Sequence, residues 1–214
     1  MPLVVLLFCL IFPHQNLIAE TTIIPIAEFS QQDLSGWENH VFDGITQYTL
    51  DSDGEKSILT AHSFRAASGL IKKIEIDLAK TPYLNWRWKV NHALYDVNEL
   101  EKNGDDYAAR IYIVIDGGIL FWRTLALNYV WASKQKANEI WENAFISNVK
   151  MIAVQSGDTH KKQWRNEKRN VREDLQKAFG RDFRFIDAVA IMTDTDNSQQ
   201  KATAYYGDIY FSEQ

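Results

Sequence analysis

The chain has 214 residues, 46% hydrophobic, 24% charged and 13% aromatic, with seven tryptophans, one cysteine and a formal charge of −5. That charge argues against a general nucleic-acid or anionic-membrane binder, and a lone cysteine excludes a disulfide framework. The length suits one domain, large enough to bury a core without metal or cross-link.

Residues 3–12 form an unbroken apolar run, too short to span a bilayer and of the length of a signal-peptide core. Pro13 breaks the run and Ala19 precedes Glu20 at a cleavage point. The sequence thus predicts a signal peptide over 1–19, cleaved rather than kept as an anchor, and a single domain over 20–214 that is periplasmic or secreted. Cys9 falls in the leader, so the mature chain is expected to carry neither a thiol nor a transmembrane span.

Short strands follow, separated by turn residues. Residues 23–29, 37–42 and 46–50 read as the first three, with Asp43-Gly44 as a hairpin-type turn. Residues 57–63 and 71–77 read as the next two. Residues 83–90 alternate strongly, with Leu84, Trp86, Trp88 and Val90 on one side and Asn85, Arg87 and Lys89 on the other. Both tryptophans are expected to point inward. The acidic turn Gly104-Asp105-Asp106 leads into residues 107–115. There Tyr107, Ala109, Ile111, Ile113 and Ile115 form the expected core face, and Ala108, Arg110, Tyr112 and Val114 the other. Residues 119–133 continue as strand, and 134–148 fit a loose helix or a covering loop equally well. After a strand at 149–155 comes the one helix, 170–179, with Asn170 as its cap and Gly180 as its stop. Residues 183–193 are apolar on both faces, as in a central strand, and 202–211 close the chain. The fold class is all-β: an antiparallel β-sandwich of jelly-roll type, with one short helix near 170–179 and the terminal strands side by side.

Nucleophile-elbow, zinc-protease and phosphate-loop motifs are missing, and His40, His62, His92 and His160 stand without partners at metal-ligand spacing. Two candidate sites remain. Arg87, Arg110, Tyr112 and Trp122, with Asp105 and Asp106 beside them, supply the charges and aromatic rings that hold a sugar or a carboxylated ligand. The competing reading makes Arg110 a structural ion pinned by a carboxylate. Asp194, Asp196 and Asn197 offer hard oxygen ligands for calcium, joined by Asp208 if strands 185–193 and 202–211 pair as a hairpin; otherwise the same residues shape a turn. Arg165, Lys168, Arg169 and Arg172, near Trp164, read as an exposed basic face.

Several strings are shared, in order, with one family. They are Ala67-Ser68-Gly69-Leu70, Leu84-Asn85-Trp86-Arg87-Trp88-Lys89-Val90, Gly104-Asp105-Asp106 with Ala109-Arg110-Ile111-Tyr112, and Leu127-Asn128-Tyr129-Val130-Trp131-Ala132-Ser133. Arg169-Asn170-Val171 before Phe179-Gly180, Met192-Thr193-Asp194-Thr195-Asp196-Asn197 and Tyr206-Gly207-Asp208-Ile209 complete the set. The chain resembles the DUF3047 family of exported bacterial proteins, which implies a β-sandwich and export but no activity. Its strand plan is loosely similar to galactose-binding-like jelly rolls, carbohydrate-binding modules among them, an analogy of fold only. The leading functional expectation is a non-enzymatic protein that binds a glycan or small polar ligand and needs no cofactor beyond a candidate calcium ion. The alternatives are an envelope protein–protein contact module and, third, a carbohydrate-active enzyme.

Overall fold

Alternation of small or apolar residues with polar ones decides where most side chains go, and strand pairing then stacks them into two layers. The computed structural model describes residues 21–54 and 56–214, so the proposed leader lies outside the described residues. In chain order the strands are β1 (Ile23–Ala27), β2 (Trp37–Asp43), β3 (Gln47–Ser52), β4 (Ser57–Phe64), β5 (Ala67–Asp77), β6 (Tyr83–Val90) and β7 (Arg110–Ile115). Then come β8 (Leu125–Ala132), β9 (Ile140–Glu142), β10 (Val149–Ser156), β11 (Arg165–Asn170), helix α1 (Val171–Phe179), β12 (Phe185–Asp194) and β13 (Lys201–Ser212).

One sheet runs β11-β6-β13-β4-β3, with β1 also paired to β13; the other runs β2-β5-β12-β7-β8-β10-β9. The two form a β-sandwich of jelly-roll type. Its first described strand lies beside its last, Ile23 opposite Ser212, as the sequence implied. Every pair is antiparallel except β8–β10, which runs parallel. β12 lies inside the second sheet, between β5 and β7, as expected of a strand apolar on both faces. No described helix is long and apolar enough to cross a membrane.

The core is an aromatic contact between the layers. Leu84, Trp86, Trp88 and Val90 of β6 point inward and are buried. Trp86 stacks on Tyr129 of β8 with centroids 5.4 Å apart, and Trp88 lies 6.0 Å from Trp131. Such pairs are worth about 0.5–1.5 kcal/mol beyond their buried area. The polar edges of the rings are used as well: Trp88 donates to Glu167 (3.2 Å) and Trp131 to the Gly157 carbonyl (3.0 Å). α1 closes one end. The Asn170 side chain accepts from the Glu173 amide, and Gly180 takes the left-handed conformation that only glycine adopts freely. Asp174 ties the helix to the core through the Tyr129 hydroxyl and a two-pronged contact with Arg169.

Three expectations change, and for segment 134–148 the covering reading holds over the helical one. β12 and β13 belong to opposite sheets and form no hairpin. β11, with sequence RNEKRN, is a strand although no apolar residue alternates in it, because it sits on an edge and pairs with β6 along its whole length. Segment 134–148 is not helical; it covers the second sheet's outer side and contributes edge strand β9. Finally, β7 begins only at Arg110. Upstream of it the chain bends, so Tyr107 turns away from the main core and packs with Val130, Met151 and Trp141 on the outer side of the second sheet.

The bend depends on Gly104. A Cβ there would overlap the Asn98 carbonyl oxygen and stand 2.6 Å from the Asn98 amide nitrogen, both backbone atoms with no freedom to move. Gly104→Ala should therefore cost about 1–3 kcal/mol, read as a lower urea midpoint; an unchanged midpoint would show that segment 98–104 yields without strain.

Candidate functional site

The two sites expected from sequence are largely one place. Arg110 opens β7 and Asp194 ends β12, two adjacent strands, and their side chains meet in a buried ion pair. Tyr107 and Tyr112 flank the guanidinium, each ring centroid within about 5.2 Å of it. Burial works against the charge on Arg110, but Asp194 and the surrounding groups outweigh it and raise its pKa. Burial also pushes the Asp194 carboxyl up while the guanidinium opposes it; a neutral Asp194 would leave the permanent charge of Arg110 buried and unmatched, so the contact is held as an ion pair. Asp105 and Asp106 join the same corner. Asp105 accepts from Asn143 of the covering segment (2.6 Å), and Asp106 accepts from the Asn197 amide and side chain (3.2 Å each) and the Ser198 amide (2.5 Å). Among the described residues Arg110 Nε has no hydrogen-bond partner, so the corner holds its charge at a cost.

Asp208, by contrast, is not there. It lies in the first sheet and receives the Ser30 amide (2.8 Å) and hydroxyl (2.5 Å). The hairpin that would have brought it to Asp194 does not form, so the calcium set loses that member. Asp106 takes its place: oxygens of Asp106, Asp194 and Asp196 lie within 4.8 Å of one another. Two of these carboxylates already accept from the amides of Tyr107, Asn197 and Ser198 and from Arg110. Among the three, only Asp196 keeps a buried oxygen without a partner. The set therefore fits a loop clamp better than a calcium cage. Burial, reinforced by the Asp106 charge, pushes the Asp196 carboxyl up to about 6.

Arg87 and Trp122 stand apart from this corner. Trp122 is exposed in the turn between β7 and β8, beyond the far end of β7 from Arg110. Arg87 belongs to the outer face of the first sheet, a face that carries two of the surface grooves. Alternation along β6 sends Asn85, Arg87 and Lys89 outward, while a bulge in β13 between Tyr206 and Ile209 sets Tyr205 and Tyr210 on the same face. Gly207 lets the Arg87 stem lie flat on the backbone, since a Cβ there would stand 2.5 Å from Arg87 Cγ. Trp164, just before β11, packs over the row, its ring centroid 4.4 Å from the Arg87 guanidinium and 4.8 Å from Lys89 Nζ. Lys89 also lies 4.5 Å from the Tyr205 ring, and the Trp164 indole donates to Asp53. On one side of this ladder is a groove of about 470 Å³ lined by Lys56, Asn85, Arg87, Asn166, Lys168 and Tyr210, with the acids Glu167 and Asp208 among them. On the other is one of about 460 Å³ lined by Asp53, Thr60, His62, Lys89 and Tyr205. Both fall within the volume range of small-ligand sites.

Sequence reading singled out Arg87 but not its neighbours. The alternation in β6 was the available signal; the contributions of β13 and Trp164 depend on a bulge and on an edge strand that alternation does not reveal. The basic face expected at 165–172 is divided. Arg169 and Arg172 close on Asp174 and Asp182, while Lys168 faces the groove.

A two-sheet sandwich of this plan is the fold of known carbohydrate-binding modules. The chain is similar to the family 30 carbohydrate-binding module of the cellulosomal cellulase Cel9D-Cel44B of Clostridium thermocellum, with TM-score 0.51 and 12% identity, covering 90% of this chain and 98% of that one. It is more distantly similar to carbohydrate-binding modules of the β-sandwich superfamily (TM-score 0.40, 13% identity, 85% of this chain and 59% of that one). The xyloglucanase domain of NopAA, a type three effector from Sinorhizobium fredii, is comparably distant (TM-score 0.41, 12% identity, 80% and 90%). No curated protein matches. Over residues 35–210 the chain matches the family described as protein of unknown function (DUF3047), and it belongs to that family.

Removing Asp194 should strand a buried guanidinium, so Asp194→Ala is expected to cost about 3–5 kcal/mol in urea unfolding. Arg110→Met combined with Asp194→Leu should recover most of that loss, because it removes both charges together. A single-mutant loss under about 1 kcal/mol would mean that Arg110 escapes to solvent. Asp196 predicts a pH signature. Its folded form binds a proton more readily than the unfolded chain, so its contribution favours folding at low pH and is lost as pH rises through about 6. Asp196→Asn should flatten that decline and raise the melting temperature at pH 8, and millimolar calcium should leave the wild-type midpoint unmoved. A calcium-dependent rise would make the corner a cation site instead.

Proposed function

We propose that this protein is a non-catalytic glycan-binding module acting outside the cytoplasm, and that it binds through the outer face of its six-stranded sheet. The observation that carries this is the pair of neighbouring grooves joined by the Trp164 ladder. A sugar presents apolar C–H faces between hydroxyl groups, so it is held by aromatic rings interleaved with amides and charges. Tyr205, Tyr210, Asn85, Asn166 and His62 supply that mixture along one sheet face. The likeness to a family 30 carbohydrate-binding module supports the fold, not the ligand. The apolar run at residues 3–12 supports export.

A second reading rests on a different observation. Phe42, Ile45, Ile119, Trp122 and Ile146 are more than half exposed, and apolar groups in water mark protein contacts. It predicts association through those residues, with the grooves unused.

Glycan-array binding by the purified protein separates the two. Wild type should bind at least one glycan, and Trp164→Ala should lose at least tenfold in affinity while Phe145→Ala binds as wild type. Failure to bind any glycan, or full binding by a folded Trp164→Ala variant, would overturn the proposal.

A further inference from the structure

The groove between β11, β6 and β13 is cationic in a protein that is acidic overall. Lys56, Arg87 and Lys168 all line it, while the chain carries a formal charge of −5. None of the three has an ion pair within 4.0 Å among the described residues, whereas Arg169, Arg172 and Arg184 each close on a carboxylate. Two acids also line it, and both are engaged within the chain: Asp208 turns both oxygens to Ser30, and Glu167 accepts from the Trp88 indole and the Gln155 side chain. Two of the cations are held by rings rather than by counter-charges. Arg87 lies against Trp164, and Lys168 Nζ stands 4.7 Å from the Tyr83 ring centroid. A ring face positions a cation without neutralising it. The charges are therefore held in place and left unmatched, side by side with Asn85, Asn166 and the Tyr210 ring.

We propose that this groove takes an acidic saccharide, one whose carboxylate or sulfate ester meets Lys56, Arg87 and Lys168 while its ring lies toward Tyr210. The inference rests on the glycan-binding reading and adds to it the class of glycan. A neutral sugar would satisfy the amides but leave three cations unmatched; an anionic sugar satisfies both with charge-assisted hydrogen bonds. The second groove differs. Asp53 is held by Trp164 and Lys89, and His62 bonds Thr203 (3.0 Å), so its charged residues already have partners in the chain. It suits a neutral neighbouring residue of the same chain.

The test is affinity electrophoresis and calorimetry with polygalacturonate, dextran sulfate, unmodified dextran and single-stranded DNA. At least one acidic polysaccharide should bind tenfold or more tightly than dextran and DNA. Its affinity should fall as salt rises from about 50 to 500 mM, because screening shortens the reach of exposed charges. The Lys56→Ala, Lys168→Ala double variant should lose tenfold or more with a nearly unchanged melting temperature, since both side chains are exposed and neither has an ion pair among the described residues. A preference for polygalacturonate or for dextran sulfate supports the inference and identifies the anion. Equal binding of DNA and acidic polysaccharide would reduce the groove to a general polyanion surface and overturn it. Binding of neutral glycans that the double variant retains would overturn it and leave the glycan-binding reading standing. Failure of every array glycan as well would bring down both.

Discussion

A guanidinium buried in a β-sheet is sustained only by a carboxylate in contact with it, and the Arg110–Asp194 pair organises one end of this sandwich. Arg110 begins β7 and Asp194 ends β12, so the pair ties two central strands where the chain enters one and leaves the other. The Asp194 carboxylate and backbone amide both bond to Tyr107, which fixes the bend before β7. Asp106 takes the amides of Asn197 and Ser198, and Asp105 takes Asn143 from the segment that covers the outer face. Three separate loops thus converge on one cation. The loop clamped by Asp106 also carries the chain from β12 to β13, from one sheet to the other. Where β13 starts sets its register with β6, and that register lays Arg87 across Gly207.

Much of this was legible in residues alone. The alternation over 83–90 correctly sent Trp86 and Trp88 inward, because large apolar rings on a period of two have one low-energy side. Asn170 and Gly180 marked the ends of α1 through local capping chemistry, which needs no tertiary context. Arg110 was open to two readings, and the structure selects the pinned ion. What failed was partner assignment. Period two fixes the face a residue occupies but not the sheet its strand joins, so Asp208 was expected beside Asp194 and lies with Ser30 instead. β11 gave no apolar signal because an edge strand on a polar face has none to give. Tyr107 was assigned to the core on parity, and the bend at Gly104–Ala109 breaks that parity.

The two polar regions of the molecule are opposites, and the difference tells which of them a ligand would meet. In the buried corner the charges are paired within the chain, and bringing a ligand to Arg110 would break the Asp194 contact and expose a carboxylate cluster already short of counter-charge. That exchange loses interactions worth several kcal/mol before any are gained. On the first sheet the order of costs reverses. Lys168 and Lys56 are exposed and hydrated, Arg87 is positioned by a ring, and none gives up a protein ion pair on meeting an anion. Binding there exchanges water for ligand, which is the smaller cost. The charges paired within the chain hold the fold together, and the three groove cations, which have no ion pair among the described residues, can meet an anion without giving one up.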